Sequence, residues 1–149
     1  MTKIFLSFIL SILIFTFSNN AQNESFQSNL KPKSIDEKNL NIILEIEQSI
    51  KNSDVLKLVR FINAQTYFSM MGNINGYYTT NQAYYMLEDF FKINKVQFFK
   101  FTQISSDTNN PYATGVLQYE NKGRRSKAQV YISLRRIGDN WIISQLSIN

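Results

Sequence analysis

The feature that most restricts the fold of this chain is a series of four β-prone runs in its last third. The runs cover residues 96–105, 112–119, 127–136 and 141–148. Turns rich in Gly, Asn, Asp and Pro separate them at residues 107–111, 121–123 and 138–140. Because connections this short join only antiparallel neighbours, the runs predict four consecutive antiparallel strands.

Two helical patterns begin the folded part of the chain. Ser34 and Glu37 fit a capping box, and isoleucines recur at helical spacing, which predicts an amphipathic helix over residues 35–52. Ser53 is placed to cap a second, shorter helix, and Asp54 suits the positive end of its dipole. The apolar face of that second helix comprises Val55, Leu58, Val59 and Ile62. We expect the two helices to run antiparallel.

A short hairpin and a third helix precede the long strands. Residues 66–70 and 77–79 have extended character and flank a turn at residues 72–76. Thr79 or Thr80 then caps a helix, and Gln82 completes a capping box with Thr79. The apolar stripe of this helix comprises Ala83, Tyr84, Leu87, Phe90 and Phe91. The sequence therefore predicts an α+β fold, with three N-terminal helices on a curved antiparallel sheet of four long strands plus the hairpin.

The first 21 residues have the pattern of a signal peptide. Lys3 supplies a positive start, residues 4–17 are mostly apolar, and a short polar end closes at Ala21. We expect cleavage after Ala21, with Ser18 as a second choice and an uncleaved N-terminal anchor as the alternative. The apolar run is shorter than the roughly 20 residues that span a bilayer, and no second run follows. We therefore expect a soluble, exported protein, periplasmic or secreted, without a transmembrane anchor after cleavage.

The remaining chain divides into a lead-in and one domain. Residues 22–33 are polar, contain Pro32 and lack periodicity, which predicts a flexible segment. Residues 34–149 have the length of a single domain of ordinary size.

The absence of two residue types excludes much enzyme chemistry. The chain has no Cys, which excludes disulfides, iron–sulfur clusters and thiolate zinc sites, and no His, which excludes imidazole bases and ligands. It also has no Gly-rich phosphate loop, nucleophile elbow or carboxylate metal loop. We expect no metal site and no cofactor.

Three segments resemble a known family. Residues 78–83 read Tyr-Thr-Thr-Asn-Gln-Ala, residues 87–91 read Leu-Glu-Asp-Phe-Phe, and residues 138–148 read Gly-Asp-Asn-Trp-Ile-Ile-Ser-Gln-Leu-Ser-Ile. With the long strand-loop-strand between them, the chain resembles the exported domain-of-unknown-function family DUF4783 of Bacteroidetes. That family belongs to the superfamily of nuclear transport factor two-like and SnoaL-like proteins, which share a cystatin-like cone. The resemblance covers residues 34–149 and implies the cone, but no activity, because the superfamily hosts enzymes, ligand binders and interaction modules.

The resemblance leaves two functional hypotheses. Several superfamily enzymes use an Asp–His dyad, which a chain without His lacks. The ketosteroid isomerase pattern needs a carboxylate base and a phenol in an apolar cavity, and only Glu88 and Asp89 lie beside an apolar stripe. The candidate phenols are Tyr67, Tyr84 and Tyr85. We therefore expect a non-catalytic binding or interaction module with a small apolar pocket inside the cone. The alternative is a minimal isomerase- or dehydratase-like enzyme that uses a Tyr/carboxylate pocket.

Aromatic residues are the candidates for lining that pocket. The predicted ligand-pocket residues are Tyr67, Tyr84, Phe91 and Trp141. Plain core positions are the competing interpretation for these side chains, and Trp141 also suits closure of one end of the sheet.

The segment from residue 122 to residue 136 has six basic residues and no acidic one. We predict a basic hairpin surface formed by Lys122, Arg124, Arg125 and Lys127, which would meet an anionic envelope surface or an acidic partner. In the strand that follows, alternation directs Tyr131 and Arg135 to the sheet face opposite the helices. The basic residues also suit a solvated tip that resists edge pairing. The predicted export argues against nucleic acid as the partner, and the resemblance implies a homodimer through the outer sheet face.

Overall fold

The computed structural model describes residues 37–106 and 109–149, and the structural statements below concern these residues. The helices are α1 (Glu37–Lys51), α2 (Val55–Leu58), which continues as a 3-10 turn (Val59–Phe61), and α3 (Thr80–Ile93). The strands are β1 (Tyr67–Met70), β2 (Ile74–Tyr77), β3 (Lys95–Ser105), β4 (Tyr112–Asn121), β5 (Arg124–Ile137) and β6 (Asn140–Ile148). The predicted signal peptide and lead-in lie outside the described residues. Among those described, no helix has the length and hydrophobicity that a bilayer-spanning segment requires.

The described strands form one curved six-stranded sheet in the order β2-β1-β6-β5-β4-β3. Strands β3 to β6 pair antiparallel in sequence order, as predicted from the short turns. The predicted α+β fold is confirmed, but the sheet is mixed, because β1 pairs parallel with β6. Short turns fix the direction of consecutive strands only. A hairpin whose two strands have four residues each is only marginally stable by itself. The pairing of β1 with β6 joins it to the larger sheet and stabilises it.

Alternation along the strands builds the core between the sheet and the helices. In β5 the side chains of Ala128, Val130, Ile132 and Leu134 are buried and the residues between them are not. Buried helix positions complete the core, with Ile43, Ile46 and Ile50 from α1 and Ala83, Leu87, Phe90 and Phe91 from α3. The face away from the helices, here called the outer face, carries the alternate residues of each strand.

Two helix starts test the predicted caps. The Thr79 hydroxyl accepts from the Gln82 backbone N–H and the Gln82 side chain accepts from the Thr79 backbone N–H, so the capping box of α3 is confirmed. For α2 the predicted cap Ser53 is wrong, and Asp54 caps it by accepting from the Lys57 N–H at 3.1 Å. Ser53 instead ends α1 in the left-handed conformation, with a φ of 55°, so the next residue takes the cap.

The turn of the short hairpin is tighter than predicted. Met70 pairs with Ile74, so β2 begins inside the segment assigned to the turn. Gly72 and Asn73 have φ angles of 87° and 67°, and this left-handed backbone reverses the chain within three residues.

Strand β3 is irregular, and its irregularity shapes the outer face. Its register with β4 shifts between Val96 and Phe98, which leaves Gln97 as an extra residue, and again between Phe101 and Gln103. Near the second shift a Cβ on Gly115 would lie 2.5 Å from the Lys100 carbonyl oxygen, so the two strands approach where only glycine fits. The Glu47 carboxylate on α1 accepts the Phe101 N–H at 2.7 Å and ties β3 to the helices.

Candidate functional site

A groove beside the β4–β5 hairpin contains two of the four predicted basic hairpin residues. It has a volume of about 440 Å³ and is lined by Gln97, Phe98, Gln118, Tyr119, Arg125, Ser126 and Lys127. Phe98, Gln118 and Lys127 are register partners on adjacent strands, so their side chains form one row on the outer face. We call this cavity the basic groove.

The pleat of β5 divides the predicted basic cluster. Arg125 and Lys127 alternate with the buried Ala128 and so lie on the outer face, whereas Arg124 lies on the other face. Lys122 and Gly123 form the two-residue tip, with φ angles of 48° and 78° that match a type I′ turn. The structure therefore brings Arg125 and Lys127 to one groove and places Lys122 and Arg124 at its end.

A pair of asparagines fixes the hairpin tip against α3. The Asn121 amide donates to the Asn94 side-chain oxygen at 2.8 Å, and the Asn94 amide donates to the Phe90 carbonyl at 3.0 Å. Asn94 is 8% exposed, so these bonds are sheltered from water. The basic groove is therefore held by hydrogen bonds at its end rather than left on a free loop.

Two cations and no carboxylate line the groove, and Glu120 lies opposite Arg125 on the neighbouring strand. The ion pairs seen in the described part of the chain join Lys57 to Asp54, Arg60 to Glu45, Lys92 to Glu88 and Arg136 to Asp139. None of these pairs involves Arg125 or Lys127. Within the described residues neither cation forms an ion pair, although Glu120 opposite Arg125 offsets part of the positive charge.

The sequence did not predict the uncharged half of the groove, which β3 and β4 contribute. The sequence pattern of β3 does indicate the position of Phe98. Since Phe99 and Phe101 are buried, alternation directs Phe98 to the outer face, and its side chain is 45% exposed. The position of Gln97 in the groove could not be predicted from the sequence, because it depends on the bulge in β3.

The predicted ligand-pocket residues occupy three places. Tyr84 and Phe91 line a surface cavity of about 380 Å³ between α2 and α3. Tyr67 lies on the outer face, where its hydroxyl donates to Asn75 and its ring packs edge-on against Tyr77, with centroids 5.2 Å apart. Trp141 is half-buried against the core at the start of β6. The structure joins only Tyr84 and Phe91 in one cavity.

A Tyr/carboxylate pair does exist in that α2–α3 cavity. The Tyr84 hydroxyl donates to Glu88 at 3.1 Å, and the other Glu88 oxygen pairs with the Lys92 ammonium at 3.0 Å. The hydrogen bonds from Lys92 and Tyr84 lower the pKa of Glu88, and the bond to Glu88 raises the pKa of Tyr84. An isomerase needs a carboxylate base of sufficient strength and a phenol that donates readily, so both shifts oppose that chemistry.

The interior of the cone is packed with apolar side chains. Phe68, Leu87, Leu117, Ile132 and Leu146 are each completely buried. The predicted apolar pocket inside the cone stays a prediction, since the cavities described here lie at the surface. Within the described residues no three acidic side chains converge as a metal site would require.

The family model "Domain of unknown function (DUF4783)" matches residues 43–149 of this chain. No curated protein matches the chain. Among solved structures, a DUF4783 family protein from Bacteroides uniformis is similar at 16% identity and a TM-score of 0.66, over 73% of this chain and 96% of that one.

Two further solved structures support the same fold. A DUF4783 family protein from Bacteroides fragilis has 19% identity and a TM-score of 0.61, over 70% of this chain and 94% of that one. An NTF-2 like protein of unknown function from Shewanella oneidensis has 10% identity and a TM-score of 0.56, over 75% and 96%. At these identities the similarity shows the fold alone.

Proposed function

The chain belongs to the DUF4783 family and has an NTF2-like fold, and from this premise we propose that it is a non-catalytic binding module for an anionic ligand. The ligand docks on the outer face of the sheet, in the basic groove. The fold by itself assigns no activity, so the proposal depends on the chemistry of the groove.

One observation carries the proposal: Arg125 and Lys127 lie side by side in a groove that no carboxylate lines. A ligand with two negative groups would meet both cations, which lie about 7 Å apart along an extended strand. The Gln97 and Gln118 amides add neutral hydrogen-bonding groups, and Phe98 adds an exposed ring.

The α2–α3 cavity supports the enzyme alternative less well. Its tyrosine and carboxylate are present, but Lys92 neutralises the carboxylate and the pKa shifts oppose proton transfer. The groove requires no catalytic group, only complementary charge.

Binding of anionic probes, compared with binding of their neutral counterparts, would test this proposal. The anionic set is oligogalacturonate, oligothymidylate and phosphatidylglycerol vesicles, and the neutral set is malto-oligosaccharide and phosphatidylcholine vesicles. At least one anionic probe should bind, and the double variant Arg125→Gln with Lys127→Gln should bind it roughly tenfold more weakly, as expected for two solvent-exposed charge contacts. High salt should also weaken binding, because exposed charges are screened.

The matched control is Lys57→Gln with Arg60→Gln. It removes the same two residue types from the exposed surface of the helices and changes the net charge equally. Equal weakening by the two double variants would mean that net charge, not the groove, attracts the probe. That result, or no binding to any anionic probe, contradicts the proposal.

The predicted signal peptide would place the ligand outside the cytoplasm. N-terminal sequencing of protein from envelope fractions should find a start near Gln22. An intact Met1 would remove the basis for this location.

A further inference from the structure

Cations dominate the outer face well beyond the basic groove. Register and alternation place Lys95, Lys100, Arg125, Lys127 and Arg135 on this face. The strands contribute one carboxylate to it, the half-buried Glu120. An extended anion is therefore electrostatically more complementary to this face than a single charged group is.

Arg135 forms a second cationic site far from the basic groove. Its Nη2 donates to the side-chain oxygen and the backbone carbonyl of Gln65, a neutral residue. Its Nε is buried and has no acceptor among the described residues. A cavity of about 380 Å³ opens beside it, lined by Ala64, Gln65, Tyr77 and Arg135. The guanidinium charge is thus positioned by an amide and not neutralised.

Between the two cationic sites the surface is polar and aromatic. Gln129, Ser133 and Gln145 supply amides and a hydroxyl, and the Tyr112 and Tyr131 rings stack with centroids 6.3 Å apart. Exposed rings stand near each site, Phe98 at 45% and Tyr77 at 69%. Aromatic rings can pack against the C–H faces of sugars, and amides can form hydrogen bonds with sugar hydroxyls. This combination suits a sugar chain.

We propose that the ligand of this face is an acidic polysaccharide, which extends along β5 from the basic groove to Arg135. This inference depends on the proposed function and names the ligand class for it. Lys127 and Arg135 are eight residues apart on β5, which is about 27 Å along an extended strand. A chain of that length reaches both cationic sites at once.

Two other anionic polymers or surfaces fit less well. A bilayer would need one continuous protruding apolar patch. The exposed rings of the outer face, Tyr77 on β2 and Phe98 on β3, lie at opposite edges of the sheet and form no such patch. Nucleic acid esterifies its sugar hydroxyls and keeps at most one free hydroxyl per nucleotide. An acidic sugar keeps several free hydroxyls beside its carboxylate, and the amides and hydroxyls in the middle of this face can pair with them. The predicted export also favours an extracellular polymer. A second copy of this chain, which the family resemblance implies as the occupant of the outer face, would bring like-charged cations together. A homodimer of the free protein that closes through this face would overturn the inference.

The test is a series of oligogalacturonates, from the monomer to chains longer than this span. Affinity should rise with chain length until the chain bridges the two sites, because the second contact becomes intramolecular. Arg135→Gln should weaken the long chains roughly threefold, as expected for one charge contact, and leave short ones unchanged, since short chains occupy the basic groove alone. Arg135→Lys, which keeps the charge, should retain part of the length dependence.

Arg136→Gln is the matched control, because Arg136 adjoins Arg135 but alternates to the other face and pairs with Asp139. Equal affinity for the monomer and long chains would overturn the inference and leave the proposed function standing. Tighter binding of oligothymidylate than of oligogalacturonate with equal charge would also overturn it, in favour of nucleic acid. Loss of binding to every anion would overturn both. Melting curves of each variant exclude unfolding as the cause.

Discussion

The contacts from Tyr84 through Glu88 to Lys92 set the proton affinity of all three side chains. They lie four residues apart on α3, where side chains at this spacing meet on one helix face. The Lys92 ammonium is the largest cause of the lowered pKa of Glu88, and the Tyr84 hydroxyl is the second. The bond to Glu88 likewise raises the pKa of Lys92.

We predict that Glu88 titrates below its ordinary pKa of 4.5. Because its folded pKa is the lower one, its contribution to stability is present above the unfolded pKa and is lost as pH falls through the folded pKa. Lys92→Met should raise the titration midpoint, and Tyr84→Phe should raise it less. NMR of the Glu88 carboxyl carbon measures all three midpoints. A wild-type midpoint at or above the ordinary value would show that these contacts do not form in solution.

Among the elements, α3 depends on a cap that the sequence displays openly. We predict that Thr79→Ala lowers the free energy of unfolding by about 1 kcal/mol, since it removes the acceptor for the Gln82 N–H. Thr79→Ser should retain most of this stability. Asn81→Ala, in the exposed first turn, should change it by less than about 0.5 kcal/mol. Urea denaturation followed by circular dichroism compares the three, and equal losses for Thr79→Ala and Asn81→Ala would assign no role to the cap.

The sequence pattern of strand β3 predicts the strand itself but not its irregular pairing with β4. The run at residues 96–105 predicts a strand, and the strand forms. Its two register shifts are not visible in that run, because they depend on how β4 lies against it. Gly115 is an example. Position 115 requires glycine because a Cβ there would clash with the Lys100 carbonyl oxygen of the neighbouring strand.

For the whole molecule, two phenylalanines separate stability from binding. Phe68 in β1 is completely buried and packs edge-on against Tyr78, whereas Phe98 is exposed in the basic groove. We predict that Phe68→Ala destabilises the protein by roughly 3–5 kcal/mol, because it leaves a large cavity in the core. Phe98→Ala should melt close to wild type and weaken binding of the anionic probe. Thermal unfolding and probe binding on both variants check this, and a mild effect of Phe68→Ala would mean that the hairpin is not part of the cooperative fold.

The sequence by itself determined the order of helices and strands, the cap of α3 and the inward positions of β5. Each of these follows from local rules: helical or strand periodicity, turn residues and capping pairs act over a few residues. The same rules failed at Ser53, where two consecutive residues could each cap and the end of α1 decided between them.

Only the tertiary structure decided the parallel pairing of β1 with β6, the split of the basic cluster and the make-up of the groove. Lys122, Arg124, Arg125 and Lys127 are close in sequence, yet the pleat sends them to different places. Gln97 and Phe98 join Arg125 and Lys127 only because β4 holds β3 and β5 in register on either side. Such contacts join residues far apart in the chain, and their geometry depends on the packing of the whole sheet rather than on any local pattern.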